Sequence, residues 1–442
     1  MKIAIVHPTF EAAVPLSRGG SISSFSVITD EIAQRLANQH QVLVFSRGDK
    51  NLPAHEQIGN ITYQRFSASF AVEDKVVKAF RVIERLTDVP LRKKPFFTSP
   101  AHYYLYAREV GLACRDAQVD VIHVIIFAPL IPTIRALNPH ARIILHMENE
   151  WVTQMDHGRA ARALRDTDCI VSCSDFVSNR IKASFPEYAN RAFTVHNGVD
   201  IGRFPLRSSQ PPADPARPRR IVYVGRLSAE KGVHLLIKAF EQVVKEIPNA
   251  HLDIIGPANS PAYEYMVPIS DDPNVLALKP YFTKWLKRGD THYLDLLQAM
   301  VPPHLTDRIF FLGQRPNTEV RNMLESADVF CFAPIWHEPF GIPVVEAMAS
   351  GVPVVTSASG GIMELVEDGR TGIVVPRADV DALAKGLIRA LTDPELVARI
   401  VPAARQRAEQ LFSWDTSVRQ LEKYYQGGHP TLNGQIKLSP SL

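Results

Sequence analysis

The sequence predicts an α/β fold with two doubly wound domains, each built around its own parallel sheet. Short apolar runs alternate with longer amphipathic stretches along nearly the whole chain, which is the pattern of β-α-β units. At 442 residues the chain is too long for one ordinary hydrophobic core. Five prolines lie between Phe204 and Arg219 and interrupt the alternation near the middle of the chain. Because proline at this density disfavours both helix and central strand, we expect a linker there.

The apolar runs form two series, one on each side of the proline-rich segment. The first series predicts strands over Ile3–His7, Val42–Ser46, Ile61–Phe66, Val121–Ile126, Arg142–His146, Cys169–Cys173 and Phe193–His196. The second predicts strands over Arg220–Val224, His251–Ile255, Ile309–Leu312, Val329–Phe332, Val352–Thr356 and Ile373–Val375. Each series is long enough for one open sheet, so we expect one sheet in each domain.

The domain boundaries follow from these two series. In chain order we predict a first domain over 1–203, a linker over 204–219, a second domain over 220–412, a helix over 413–426 and a disordered polar tail over 427–442. The stretch between Gly256 and Gly313 is longer than a β-α-β connection needs. We interpret residues 262–289 as an insertion whose role the sequence does not reveal.

Bulk composition narrows the class of protein. The chain is 46% hydrophobic and 21% charged, a globular profile, and its net charge of +3 gives no reason to expect nucleic-acid binding. The most apolar stretch, Val121 to Ile134, is too short to span a bilayer, and residues 1–7 resemble a strand rather than a secretory signal. The cysteines lack zinc-ligand spacing. We therefore predict buried free thiols and a cytoplasmic location.

The segment from Trp336 to Val355 carries the strongest functional signal. Seven residues separate Glu338 from Glu346, and the prolines and glycine between them exclude one continuous helix. Glu338 is therefore predicted on a loop, with Pro343 at the first position of a helix and Glu346 in its opening turns. The free N–H groups at the start of that helix attract a phosphate. Two carboxylates beside a phosphate site suit a nucleoside diphosphate with a sugar at one end and a ribose at the other.

The sequence Glu-Pro-Phe-Gly-Ile-Pro-Val-Val-Glu-Ala-Met-Ala-Ser-Gly, with its Glu-x7-Glu spacing, resembles the signature of family 4 retaining glycosyltransferases. The resemblance implies the GT-B fold, in which two Rossmann-like domains face each other across a cleft. In that fold the helix over 413–426 is expected to return to the first domain. It also implies transfer of a sugar, most often a hexose, from a nucleotide-sugar donor to a hydroxyl acceptor. Within this resemblance Glu346 holds the ribose and Glu338 contacts the donor sugar. The backbone that meets sugar hydroxyls and phosphate is that of Phe340, Gly341 and Ile342.

A second motif, Gly225-Arg226-Leu227-Ser228-Ala229-Glu230-Lys231-Gly232, follows the first predicted strand of the second domain. Gly225 lets the backbone turn at the carboxyl end of that strand, where α/β domains bind ligands. Arg226 and Lys231 bring two cations to this edge, and the resemblance makes them the diphosphate-binding pair. The predicted catalytic residues are therefore Glu338, Arg226 and Lys231.

No metal or other cofactor is expected, because the two cations and the helix terminus can stabilise the departing diphosphate. Two Asp-x-Asp runs have structural explanations instead. Asp166 and Asp168 fit a helix-to-strand turn, and Asp379 and Asp381 fit the start of a helix.

In the first domain, Arg18-Gly19-Gly20-Ser21 follows the first strand. Paired glycines before a helix let backbone N–H groups approach a phosphate, so Gly19 and Gly20 are candidate donor-binding residues. The motif is not the Gly-x-Gly-x-x-Gly of dinucleotide-binding enzymes, which counts against a dehydrogenase.

The acceptor side is less clear from the sequence. His123, His146 and Glu148 are candidates, since each lies on or just after a predicted strand of the first domain. Many members of the family carry His-x-His on the first of these strands, but here Ile125 occupies the second position. A lone histidine in an apolar strand can equally be a core residue.

Residues 75–94 predict an amphipathic helix with a basic face. One interpretation is peripheral contact with an anionic membrane, which would fit a lipid-linked acceptor. The other is an ordinary helix packed on its sheet. Two alternatives to transfer also remain at this stage: a nucleotide-sugar epimerase on the same fold, and a non-catalytic subunit that binds sugar nucleotides.

Overall fold

The computed structural model describes residues 1–9, 11–18, 23–66, 79, 96–99, 101, 103–207, 217–261, 263–283 and 292–428. The chain divides into two compact units. The first unit combines residues 1–197 with the C-terminal segment from Trp414, and the second comprises Gly198–Ser413. The first division falls six residues before the predicted boundary at residue 203. Most of the predicted linker and tail, and nearly all of 75–94, lie outside the described residues.

Within the described ranges, fourteen strands form two sheets. Strands β1 to β8 are Lys2–Val6, Gln41–Arg47, His55–Ile58, Ile61–Phe66, Val121–Ile125, Arg142–Met147, Cys169–Ser172 and Ala192–Thr194. Strands β9 to β14 are Arg219–Val224, Ala250–Ile255, Ile309–Gly313, Val329–Phe332, Val354–Ser357 and Ile373–Val375. Central strands such as β5 are buried along their whole length, as expected for parallel strands covered by helices on both faces.

The described residues contain sixteen α-helices. Helices α1 to α6 are Ser24–Leu36, Tyr104–Asp116, Ile131–Leu137, Trp151–Gln154, His157–Arg165 and Asp175–Ser184. Helices α7 to α11 are Val233–Glu246, Pro273–Leu276, Lys279–Thr283, His292–Ala299 and Asn317–Ser326. Helices α12 to α16 are Ile342–Ala349, Ile362–Leu365, Val380–Thr392, Pro394–Leu411 and Trp414–Tyr425.

Both sheets have the doubly wound topology that the alternating pattern predicts. The first has the order β3-β4-β2-β1-β5-β6-β7-β8, and the second has the order β11-β10-β9-β12-β13-β14. Every pair is parallel except β3 with β4. The strand order reverses beside β1 in the first sheet and beside β9 in the second. Ligands of such sheets bind at the carboxyl ends of the strands beside this reversal, which in the second unit are β9 and β12.

Several predicted strand boundaries were wrong. Strand β3, the tetrapeptide His-Glu-Gln-Ile, was not predicted, because it is polar and pairs only at the sheet edge. Strand β8 ends at Thr194 rather than at His196, and β13 begins two residues later than predicted. Strand β9 begins at Arg219, which the sequence analysis assigned to the linker. A short strand contains few residues, so the alternation of apolar and polar side chains does not define where the strand begins and ends.

The four cysteines are buried free thiols, as predicted. Within the described residues, no helix combines the length and the apolar character needed to cross a membrane. Helix α16 belongs to the first unit, where it contacts α1, as predicted for the helix over 413–426.

Candidate active site

The carboxyl ends of β9 and β10 approach each other closely enough to require glycine. The N–H of Gly225 donates to the Ile255 carbonyl at 2.9 Å. Gly256 has a φ of +148°, and a Cβ on it would lie 1.8 Å from the Gly225 carbonyl oxygen. Gly225 was predicted to enable a turn, yet it is Gly256 that has the unusual backbone. Glycine at these two positions therefore leaves space at the sheet edge where Arg226 and the residues after it lie.

Arg226 is held by a buried carboxylate. Its Nη2 donates to Glu230 Oε1 at 2.8 Å, and its Nε donates to Ser228 Oγ at 3.2 Å. Ser228 in turn donates to the same Glu230 oxygen at 2.6 Å. The Glu230 side chain has no exposed surface. Glu230 was not predicted to have a role, although a glutamate four residues after an arginine has the spacing that allows such a pair.

Lys231 joins this motif to the Trp336–Val355 segment. Lys231 Nζ donates to Glu338 Oε2 at 2.6 Å, and Trp336 Nε1 donates to the same oxygen at 2.8 Å. The ammonium group also lies 4.8 Å from the centre of the Trp336 ring. The Lys231 and Glu338 side chains are 11% and 10% exposed. The structure therefore brings together two of the three predicted catalytic residues, and Arg226 lies on the same short loop.

The backbone of Glu338 rests on a turn formed by Gly360 and Gly361. Its N–H donates to Ser359 Oγ at 2.9 Å, and its carbonyl accepts from Gly361 at 2.8 Å. Gly360 has a φ of +46°, and a Cβ there would lie 2.5 Å from the Glu338 carbonyl oxygen. Ser359 also donates to the Trp336 carbonyl at 2.6 Å. The loop that carries Glu338 is thus fixed by hydrogen bonds to its backbone at both Trp336 and Glu338.

Helix α12 begins where the motif predicts a phosphate-binding terminus. Gly341 precedes it with a φ of +108°, and Pro343 occupies the second position rather than the predicted first. The second position also lacks an intrahelical N–H partner, so proline is tolerated there. Glu346 lies half-buried in the second turn. Phe340 is buried, and its ring packs edge-on against Phe412 at 5.9 Å.

The insertion contacts the loop that carries Glu338. Asp272 Oδ2 accepts from Arg377 Nη1 at 2.6 Å and lies 3.5 Å from His337 Nε2. The other oxygen of Asp272 caps α8 by accepting from Asn274 at 2.9 Å. Arg377 also donates to the Ile335 carbonyl at 3.0 Å. These contacts place Asp272 of the insertion beside the loop that leads to Glu338.

The candidates in the first unit form a connected group. His123 Nε2 lies 3.0 Å from His146 Nδ1, and His123 Nδ1 lies 2.5 Å from the hydroxyl of Tyr425. His146 Nε2 lies 2.9 Å from Glu148 Oε1 without forming a hydrogen bond, and neither atom has another partner in the described part of the chain. Asn197 Nδ2 donates to the other Glu148 oxygen at 2.5 Å. Tyr425 was not predicted to belong to this group.

The remaining residues named from the sequence are Gly19 and Gly20, and the aspartates of the two Asp-x-Asp runs. Gly19 and Gly20 lie outside the described residues, and the preceding Arg18 pairs with Glu56 at 2.7 Å. Asp379 caps α14 by accepting from Ala382 at 2.9 Å, as its helix-start position indicated. Asp168 accepts from the Ile143 N–H at 2.7 Å, in agreement with a turn role.

Two family profiles match the chain, one in each half. The profile described as Glycosyltransferase Family 4 matches residues 26–203, and that described as Glycosyl transferases group 1 matches 207–407. The putative glycosyltransferase YtcC of Bacillus subtilis is 24% identical over 96% of this chain and 92% of its own length. The putative colanic acid biosynthesis glycosyltransferase WcaL of Escherichia coli is 32% identical over 59% of this chain and 57% of its own.

Solved structures show the same fold. The Anabaena protein HepE, crystallised with UDP and glucose, superposes with a TM-score of 0.67 at 18% identity, covering 97% of this chain and all of HepE. Two family profiles thus account for both halves of the chain, and the architecture agrees with them. The chain belongs to the family 4 glycosyltransferases with the GT-B fold.

Proposed function

We propose that the donor is a nucleoside diphosphate sugar held in the second unit by Arg226, Lys231, Glu338 and Glu346. One observation carries this proposal: the 2.6 Å contact between Lys231 and Glu338, which unites the two motifs at the carboxyl edge of β9 and β12. A cation that contacts the loop leading into α12 suits a diphosphate, and a carboxylate beside that cation suits the hydroxyls of a sugar. HepE was crystallised with UDP, so UDP-glucose is the first donor to test.

The proposed reaction retains the anomeric configuration without an enzyme nucleophile. Glu338 Oε2 already accepts hydrogen bonds from Lys231 and from Trp336. A carboxylate oxygen engaged in this way suits positioning of the donor sugar better than attack on it. The leaving phosphate oxygen would then take the proton of the acceptor hydroxyl, and Arg226 and Lys231 would stabilise the developing charge. We propose that these cations make a divalent ion unnecessary.

We assign the acceptor to the first unit, with His146 and Glu148 as the residues that meet its hydroxyl. Their facing atoms, 2.9 Å apart, have no hydrogen-bond partner within the described residues. A hydroxyl both donates and accepts, so a single hydroxyl could serve both atoms. His123 is fully buried, with both ring nitrogens in contact with side chains. We therefore place His123 behind His146 rather than against the acceptor.

Nucleotide binding tests the donor site. Thermal unfolding of the wild type and of Glu346→Ala is followed with UDP, GDP, ADP, dTDP and their sugar conjugates, in EDTA. A ligand at 100 times its dissociation constant adds about 2.7 kcal/mol to the free energy of unfolding, which is readily measured. We expect one base to stabilise the wild type but not Glu346→Ala, while the exposed-site control Glu319→Ala responds as the wild type does. No response to any nucleotide would refute the donor site.

Product analysis tests the reaction itself. With the donor identified, NMR of the transferred or hydrolysed sugar reports its anomeric configuration, which we expect to be that of the donor. Recovery of an epimerised nucleotide sugar would support an epimerase. Donor binding without release of free nucleotide, whichever acceptor is supplied, would support a non-catalytic subunit.

Membrane contact through residues 75–94 stays a prediction, since all of them but Ala79 lie outside the described residues. Flotation with vesicles of phosphatidylserine and phosphatidylcholine at low salt provides the test. Salt-sensitive binding that is lost when Arg92, Lys93 and Lys94 are changed to glutamine would support a peripheral contact.

A further inference from the structure

A buried line of hydrogen-bonding side chains runs from α16 to the carboxyl end of β6. The Tyr425 hydroxyl contacts His123 Nδ1 at 2.5 Å, and His123 Nε2 contacts His146 Nδ1 at 3.0 Å. Tyr425 is 3% exposed, His123 is fully buried and His146 is 1% exposed. Bulk water cannot replace these partners. Each hydrogen bond along the line therefore needs one group that donates a proton and one that accepts it.

The direction of donation along this line can be derived. Burial and the neighbouring His146 lower the pKa of His123 well below its usual value, so this ring is neutral and carries one N–H. Burial raises the pKa of Tyr425 well above its usual value, so the hydroxyl keeps its proton. In the described part of the chain that hydroxyl contacts no acceptor other than His123. It must therefore donate to Nδ1, which places the His123 proton on Nε2.

The proton on His123 in turn determines the position of the proton on His146. His123 Nε2–H donates to His146 Nδ1, so the His146 proton lies on Nε2, the atom beside Glu148 Oε1. A donor and an acceptor then lie side by side at the carboxyl end of β6. With the opposite tautomer, two acceptors would face one hydroxyl, which has only one proton to give.

We propose that Tyr425 is a positioning residue that acts through His123 to fix the tautomer of His146. The C-terminal helix thereby takes part in preparing the acceptor side of the first unit. The inference rests on the proposed function in one respect, namely that the His146 side chain contacts a substrate hydroxyl. The orientation of the protons is a property of the protein itself and can be measured without substrate.

The matched pair of variants is Tyr425→Phe and Tyr424→Phe. Both tyrosines lie in α16 and are buried, at 3% and 7% exposure. The Tyr424 ring stacks on Phe193 at 4.8 Å, whereas the hydroxyl that contacts His123 is that of Tyr425. Each change removes one hydroxyl from the same helix, but only the first interrupts the line to His146.

The primary measurement is a two-bond proton–nitrogen correlation spectrum of the full chain labelled with [15N]histidine, with His146 assigned by a His146→Gln sample. We expect the proton of His146 on Nε2 in the wild type and in Tyr424→Phe, and a mixture of tautomers in Tyr425→Phe. With UDP-glucose, or the donor found above, Tyr425→Phe should lower kcat about three- to tenfold, the equivalent of one hydrogen bond, and leave KM for the donor unchanged.

Several results would overturn the inference. A wild-type His146 with its proton on Nδ1 would do so without any variant. So would a Tyr425→Phe protein with an unchanged tautomer, or equal losses of kcat in the two variants. If the wild type transfers no sugar, the proposed function fails, while the spectrum still decides the proton arrangement.

Discussion

Lys231 and Glu338 form an ion pair of 2.6 Å across 107 residues of sequence. Each lies on a loop that follows a strand, one after β9 and the other after β12, and these strands are neighbours in the sheet. Both side chains are close to nine-tenths buried. The pair therefore connects the two loops in a place where solvent screens charges only weakly.

Replacing Lys231 by methionine should destabilise the second unit by about 3–5 kcal/mol, because it leaves a buried carboxylate without its cation. The double variant Lys231→Met/Glu338→Gln should lose much less than the sum of the two single changes. Denaturant unfolding of the three variants gives the coupling energy. Additive losses would show that the pair contributes nothing as a pair.

Trp336→Phe keeps an aromatic ring near Lys231 but removes the N–H that donates to Glu338 at 2.8 Å. Hydrogen bonds to charged groups contribute about 1.5–3 kcal/mol, so we expect kcat/KM to fall by at least about tenfold. The fold should be preserved, as near-ultraviolet circular dichroism can establish. Unchanged kinetics would mean that Lys231 alone orients the carboxylate.

Gly256→Ala should destabilise the protein far more than Gly369→Ala. Both glycines have positive φ angles, but a Cβ at Gly256 would lie 1.8 Å from the Gly225 carbonyl, whereas nothing lies within 4 Å of one at Gly369. The control should therefore lose only the about 1–2 kcal/mol of a left-handed backbone. Thermal unfolding compares the two, and equal losses would contradict the close approach of β9 and β10.

His234 should make stability depend on pH in the acidic range. Burial, helped by the nearby Lys238, lowers the pKa of His234 to about 4. The unfolded state then binds more protons than the folded state between that value and the ordinary histidine pKa of about 6.5. Stability should fall as pH drops through this window, by up to about 3 kcal/mol. His234→Gln should flatten this part of the profile relative to wild type, and a profile of unchanged slope would exclude the histidine as its source.

The sequence predicted those parts of the site that depend on local pattern. Arg226, Lys231 and Glu338 each follow an apolar run, and in parallel sheets such positions share one edge, so their proximity could be expected. Pairings set by side-chain direction were not predictable. Tyr425 contacts His123 across 302 residues, and nothing in either local sequence marks the other as a partner. Asp272, in a segment with no recognised pattern, was missed for the same reason.

Because α16 is the last described helix and yet belongs to the first unit, that unit is discontinuous in sequence. Trp414, Leu421 and Tyr425 are almost fully buried there. During synthesis, the first 197 residues emerge early but must wait for the whole second unit before these side chains arrive. The second unit can therefore complete its core before the first does, although the ribosome makes it later. A chain stopped at Ser413 would retain a whole second unit and an unfinished first one.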